Sequence, residues 1–256
     1  MKLRTGKNRR KNEQFLIDGV REISRAMNFG IPISTLFLDS AFVTPKKQQE
    51  NKEFQELMKR TREKHLPVCE VSTPVFLKIV FGNRNEGVVA LAEPPDRTLD
   101  SLELPRIPMI AVIENIEKPG NLGAIFRSAD GAGLNAVIVT PEKTDLFHPH
   151  TIRSSLGTVF RPNAAVADAE ETIRWLISRK IQIVTAKCDS TKPHTETDFT
   201  LPTAIVLGSE AEGLTPRWNR TEICAVKIPM LGIADSLNVS TAAAVLFYEA
   251  RRQRTG

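Results

Sequence analysis

Apolar and polar positions along the chain fall into two regimes, separated by a proline-rich stretch near residue 100. Over residues 12–29, Phe15, Ile17, Val20, Ile23 and Met27 recur at helical spacing and predict a helix. Residues 35–38 and 68–71 read as strands, 46–64 as a charged helix, 74–80 as a short helix and 87–92 as a strand. The run Glu93-Pro-Pro-Asp-Arg-Thr-Leu-Asp-Ser-Leu-Glu-Leu-Pro-Arg-Ile-Pro then breaks all periodicity. Its proline density marks residues 96–106 as a linker between domains spanning 1–95 and 107–256. Beyond it, strands at 108–113, 135–140, 181–186 and 203–208 alternate with helices near 121–132, 168–180 and 239–253. Such alternation predicts an α/β domain, a parallel sheet with helices on both faces, behind a smaller N-terminal α/β domain.

Three turns in the second regime share one character: an apolar strand stops, and small or polar residues lead into the next element. In the first, the strand ending near Asn115 is followed by Pro119-Gly120 and a helix opening near Asn121, a candidate N-cap, with Arg127 inside that helix. In the second, 204–207 ends at Gly208, with Ser209, Glu210 and Gly213 in the turn. In the third, Ile228-Pro-Met-Leu-Gly begins strand-like and passes through Asp235, Ser236 and Asn238 into the small-residue helix start 242–244. Asn238 or Ser240 suits the cap of that helix. Each turn taken alone is an ordinary connection with solvated side chains. Three at the carboxyl ends of strands make a ligand site, because that is where open α/β sheets collect their ligands.

Together these segments resemble the motifs of the SpoU (TrmH-like) branch of the SPOUT RNA methyltransferases. The family's first motif has an Asn and an Arg six apart, matched by Asn121 and Arg127. Its second, G-S-E-x-x-G, is matched by Gly208, Ser209, Glu210 and Gly213, with Ala211 where a Gly is common. Its third is matched by Ile228, Pro229 and Met230 and by the run 236–240. More loosely, 15–26 and 85–91 resemble the ribosomal-protein-like RNA-binding domain that many members carry.

The resemblance implies transfer of a methyl group from S-adenosylmethionine to a ribose 2′-hydroxyl, a trefoil knot formed by the second and third segments, and a homodimer with its active site near the subunit interface. Catalytic candidates are Arg127, Asn121, Glu210, Ser236 and Asn238. Arg127 is expected to help remove the hydroxyl proton, or to hold the phosphate and stabilise the alkoxide; arginine side chains keep their own proton at neutral pH, so both roles stay open. Asn121 would fix the ribose or Arg127, Glu210 would hold Arg127 or a loop, and Ser236 and Asn238 would face the nucleotide or Arg127. Cofactor contacts are expected at Leu207, Gly208, Ile228, Met230 and Leu237, largely through backbone groups. Ribosomal RNA is the favoured substrate; a transfer RNA enzyme and a non-catalytic RNA-binding protein of the same fold are the alternatives.

Charge fits an RNA partner. Residues 1–106 hold 19 Lys and Arg against 14 Asp and Glu, while the remainder carries 16 of each, so the net +5 lies in the N-terminal part. Lys2, Arg4, Lys7, Arg9, Arg10 and Lys11 concentrate it in a stretch that reads either as a solvated tail or as a phosphate-neutralising arm. Cys69, Cys188 and Cys224 are widely spaced, and His65, His148, His150 and His194 form no ligand pattern, so no metal site is expected. No apolar run is long enough to span a membrane, and together with the free thiols this gives the expectation of a soluble, cytoplasmic protein.

Overall fold

The computed structural model describes residues 2–42, 51–82, 86–140 and 145–255. In chain order they form α1 (Gly6–Asn12), β1 (Phe15–Asp18), α2 (Val20–Asn28), β2 (Ile33–Asp39), α3 (Lys52–Glu63), β3 (Val68–Val71), α4 (Thr73–Ile79) and β4 (Val88–Ala92). There follow β5 (Met109–Glu114), α5 (Pro119–Ala132), β6 (Ala136–Thr140), α6 (Pro149–Ser154), β7 (Ala164–Val166), α7 (Ala169–Ser178) and β8 (Gln182–Ala186). The last elements are β9 (Thr203–Leu207), β10 (Ile223–Val226) and α8 (Val239–Thr255). By their contacts the residues divide into two compact units: Met1–Asp96 with Asp145–Phe160, and Arg97–Thr144 with Arg161–Gly256.

In the first unit a four-stranded sheet runs β1-β4-β2-β3, with only the β2–β3 pair parallel. The helix expected over 12–29 is a strand, a turn and a shorter helix. Phe15 and Ile17 are buried two residues apart, the period of a strand rather than of a helix. Gly19 breaks the two elements at φ 108°, a conformation that favours glycine, and Glu86 Oε2 accepts the first free amide of α2, from Val20, at 2.8 Å. The charged helix expected from 46 begins at Lys52; positions 46–50 lie outside the described residues, as does Asn85.

The basic N-terminal stretch is folded, which corrects the solvated-tail reading. Thr5 caps α1, and Arg9 on that helix is buried, its guanidinium paired with Asp145 and bonded to the Leu3 carbonyl at 2.7 Å. Arg4, Lys7, Arg10 and Lys11 are exposed. Asp145–Phe160, expected in the C-terminal domain, belongs to this unit because its side chains are satisfied there. Phe147 stacks on Phe15, Arg25 donates to the Leu156 carbonyl at 2.5 Å, and Arg153 pairs with Asp18 at 2.9 Å. Burial raises the Asp18 carboxyl to about 6 in spite of Arg153.

The second unit is built on a six-stranded sheet in the order β10-β8-β9-β5-β6-β7, parallel throughout. Every residue of β5, β6 and β9 is buried, the pattern of strands covered on both faces. One face packs Ile110, Val112, Ile138 and Val206 against Ile173 and Leu176 of α7; α5 and α8 pack against each other. The expected strands and helices of this unit match to within a residue or two. Two strands were not expected, β7 and β10, both short and at the sheet edges. No strand begins at Ile228 as expected, since β10 has already ended at Val226. Nor is residues 96–106 a bare linker: Leu99 and Leu102 are buried in the same core as Ile110 and Trp218. Prolines removed the periodicity there but not the burial.

Strand order reverses beside β5 and β9, because β6 continues outward on one side of β5 while β8 and β10 lie beyond β9 on the other. Ligand crevices in open parallel sheets open at such a reversal, outside the carboxyl ends of the strands.

Candidate functional site

Three connections meet at that crevice. The one after β9 is the most tightly built. Ser209 and Gly213 exchange two backbone hydrogen bonds of 3.1 Å, closing a small hoop, and the Ser209 hydroxyl accepts the Glu212 amide at 3.0 Å. Gly213 turns the chain at φ 66°, and Gly208 lies so close to it that a Cβ would overlap the Gly213 carbonyl group and sit 2.6 Å from the Leu214 nitrogen. Glycine is therefore required at both positions, one for its dihedral and one for backbone approach. Beyond the hoop, buried Glu114 at the end of β5 accepts Thr215 N at 2.7 Å and Thr215 Oγ1 at 2.9 Å.

Glu210 sits at the tip of the hoop, and its carboxylate gathers the other two connections. Lys118 Nζ donates to Oε2 at 2.8 Å; Asn121 Nδ2 and Asn238 Nδ2 donate to Oε1 at 2.9 and 2.5 Å. Asn238 Nδ2 also lies 3.4 Å from Asn121 Oδ1. Lys118, then burial-opposed charge attraction and the Val239 amide, hold the Glu210 carboxyl below the usual carboxylate range, and Glu210 raises Lys118 in turn. Asn238 is also the cap of α8, its Oδ1 accepting Ser240 N at 3.0 Å and Ser240 Oγ at 2.7 Å. Asn121 is not the cap of α5. That helix starts at Pro119, with Lys118 in the cap position.

Two cavities flank Glu210. The larger, 490 Å³, is lined by all five expected cofactor residues, Leu207, Gly208, Ile228, Met230 and Leu237, and also by Ser236. The smaller, 210 Å³, is lined by Lys118, Asn121, Ser209, Glu210 and Val239 among others. Ser209, Glu210 and Val239 belong to both walls. Arg127 projects from α5, exposed, and lines neither cavity. Of the two partners expected for Glu210, Arg127 or a motif loop, the structure gives the loops, through Asn121 and Asn238, and Lys118 as the cation.

Sequence reading missed Lys118, Glu114, Asn219 and the wall formed by Ala186, Lys187, Cys188 and Asp189 at the carboxyl end of β8. Lys187 is bonded to Asn219 across that wall. The position of 186–189 just past a parallel strand was the available signal. Among the described residues no cluster of His, Cys, Asp and Glu is arranged to hold a metal ion, and no helix is long and apolar enough to cross a membrane. Cys69, Cys188 and Cys224 are free thiols.

Residues 108–248 match the family model of the SpoU rRNA methylase family, and residues 1–90 match a model of MRM3-like substrate-binding domains. A 23S rRNA (uridine(2479)-2′-O)-methyltransferase from Streptomyces viridochromogenes is 32% identical over 250 residues, covering 94% of this chain and 83% of the relative. A 23S rRNA (guanosine-2′-O-)-methyltransferase, RlmB, from Bordetella pertussis is 35% identical over 182 residues, covering 68% of this chain and 74% of its own. Among solved structures, the SpoU methyltransferase AviRb from Streptomyces viridochromogenes in complex with the cofactor AdoMet superposes with a TM-score of 0.85 at 30% identity. That superposition covers 97% of this chain and 93% of the other.

Proposed function

Because the chain belongs to the SpoU rRNA methylase family, we propose that it transfers a methyl group from S-adenosylmethionine to a ribose 2′-hydroxyl of ribosomal RNA. One observation carries this reading: three distant segments converge on Glu210, on a rim shared by a cofactor-sized cavity and a smaller polar one. The larger cavity fits S-adenosylmethionine. Its volume lies in the small-molecule range, Leu207, Met230, Leu237 and Leu246 offer apolar surface to an adenine, and the glycine-lined hoop leaves backbone groups open for polar contacts. When bound there, the sulfonium supplies an already activated methyl group.

The protein's own task is then to place the ribose and manage its proton. Asn121, held by Glu210, presents its remaining amide capacity toward the smaller cavity, where we place the target ribose. Ser236 stands on the cofactor side and Asn238 at the junction, so the two segments bracket the hydroxyl and the methyl donor in line. Arg127, exposed on the same helix as Asn121 and outside both cavities, takes the electrostatic part: its guanidinium holds the phosphate beside the target ribose while solvent or phosphate accepts the proton.

Leu231 and Ile233 are completely exposed on the segment before α8, and Tyr248 is 53% exposed on α8 itself. A second copy of the chain covers this apolar surface in a homodimer, with the knot implied for the second and third segments beneath it. Residues 1–95, with their exposed Lys7, Arg10 and Lys11, grip RNA, and the enzyme works in the cytoplasm beside its substrate. Ribose-methylation mapping of total RNA from cells with and without the protein tests the function: one ribosomal nucleotide loses its 2′-O-methyl group in the deletion. An unchanged map, or a change confined to transfer RNA, refutes the ribosomal assignment.

A further inference from the structure

Lys118 is a poor residue for its place in the fold. It occupies the cap position of α5, where a short acceptor side chain satisfies a free amide and where positive charge meets the positive end of the helix dipole. Its side chain makes no cap hydrogen bond; Asn121 N and Leu122 N donate to its backbone carbonyl at 3.0 and 3.2 Å instead. Stability does not explain the choice either. The ammonium is 73% exposed, and exposed ion pairs contribute little to folding. A residue that breaks a local rule beside a reactive site points to a role in that site.

The geometry names the role. Glu210 has two oxygens and several claimants: Asn121 and Asn238 share Oε1, and Lys118 takes Oε2. Without Lys118 the carboxylate would keep only the two asparagine amides and the Val239 N–H, and could offer either oxygen to either asparagine. With it, Oε2 is occupied, Oε1 is directed at both asparagines, and their remaining polar atoms are oriented in turn. We infer that Lys118 is a positioning residue for methyl transfer, acting through Glu210 to fix Asn121 and Asn238 against the ribose. This rests on the methyltransferase reading above. The charged groups on the walls that Glu210 shares are Lys118 at the start of α5, with Glu117 beside it, Glu212 on the same hoop, Asp235 on the segment before α8, and Lys187 and Asp189 past the end of β8. Among the described residues Lys118 is the cation bonded to Glu210, whereas Lys187 is bonded to Asn219, so removing Lys118 takes away the pair that holds the Glu210 carboxyl down, and protonation there turns an oxygen that receives amide donors into a hydroxyl.

The test is single-turnover methyl transfer to ribosomal RNA across pH for wild type, Lys118→Met and Lys118→Arg. The expected result for Lys118→Met is a rate constant at saturating RNA lowered by about 10–100-fold, the scale of a small misplacement of reacting groups. The acid limb of its rate profile should also move to higher pH, while Lys118→Arg recovers most of the rate and the wild-type limb. An equal rate and limb in Lys118→Met overturns the inference. So does a defect confined to the RNA concentration needed for half-saturation, since that would make Lys118 a plain phosphate contact. Wild-type protein that transfers no methyl group overturns the parent reading as well, an outcome separate from an active wild type with an indifferent variant.

Discussion

Phe147 stacks on Phe15 with ring centroids 4.3 Å apart, although the two lie on opposite sides of the β5–β6 segment in sequence. Phe160 approaches the same ring at 6.1 Å. Residues 145–160 are therefore finished by the N-terminal part of the chain, and cutting at the proline-rich stretch does not isolate a complete catalytic domain. Deleting residues 1–95 should expose Phe160, whose full burial is worth roughly 1.5–3 kcal/mol, uncover the half-buried Phe147 further, and leave Arg153 without Asp18. The expected outcome is a fragment that aggregates or melts without a cooperative transition, seen by calorimetry and sedimentation. A soluble fragment with a sharp transition would show that 145–160 folds without its partners.

Arg127→Ala should separate chemistry from binding. The side chain is exposed and lines neither cavity, so fold stability should change by less than about 0.5 kcal/mol. Methyl transfer should fall to background while calorimetry finds S-adenosylmethionine affinity within about twofold of wild type. Retained turnover would remove Arg127 from the mechanism.

Gly208→Ala should act on the larger cavity, where S-adenosylmethionine is proposed to bind. The added methyl group overlaps the Gly213 carbonyl and the Leu214 nitrogen, backbone atoms held by the Ser209–Gly213 pair, so the hoop must open. Cofactor affinity should drop at least about tenfold, with melting temperature lowered, whereas Ala211→Gly, at an exposed position in the same hoop, should leave affinity unchanged. Equal affinities in Gly208→Ala and wild type would place the cofactor elsewhere.

Asp18 gives the first unit a pH signature. Its folded-state carboxyl titrates near 6, above its ordinary value of 3.8, so between these limits the folded protein binds the extra proton. This group's contribution to stability is therefore largest below about pH 4 and is lost as pH rises through about 6. Asp18→Asn keeps an acceptor for Arg153 but cannot titrate. The difference in melting temperature between variant and wild type should grow in the variant's favour from pH 5 to pH 7.5. A difference independent of pH would mean that Asp18 titrates normally.

Periodicity made the second unit legible because its strands are buried on both faces and read as unbroken apolar runs, as in Ile110 to Ile113. The same reasoning failed at 15–28, where Phe15 and Ile17 of a strand and Val20 and Ile23 of a helix happened to merge into one helical repeat. The wall of the larger cavity was legible at Gly208 and Met230 through the motifs that surround them. Lys118 was not: before a Pro-Gly pair it reads as a solvated turn residue, and its partner Glu210 lies 92 positions away. Nor did the pattern show that Arg9 would be buried, since Asp145 lies 136 residues downstream. Side chains whose meaning depends on one distant partner leave no periodic trace.

The separation of Asn121 and Asn238 by 117 residues also sets an order in time. A chain emerging from the ribosome presents Asn121 first, Glu210 much later and Asn238 last, and each alone is an ordinary polar residue. The amide–carboxylate junction closes only after the start of α8 has docked. No shorter nascent chain holds the complete arrangement, so the set of contacts around Glu210 is completed only once synthesis has passed Asn238.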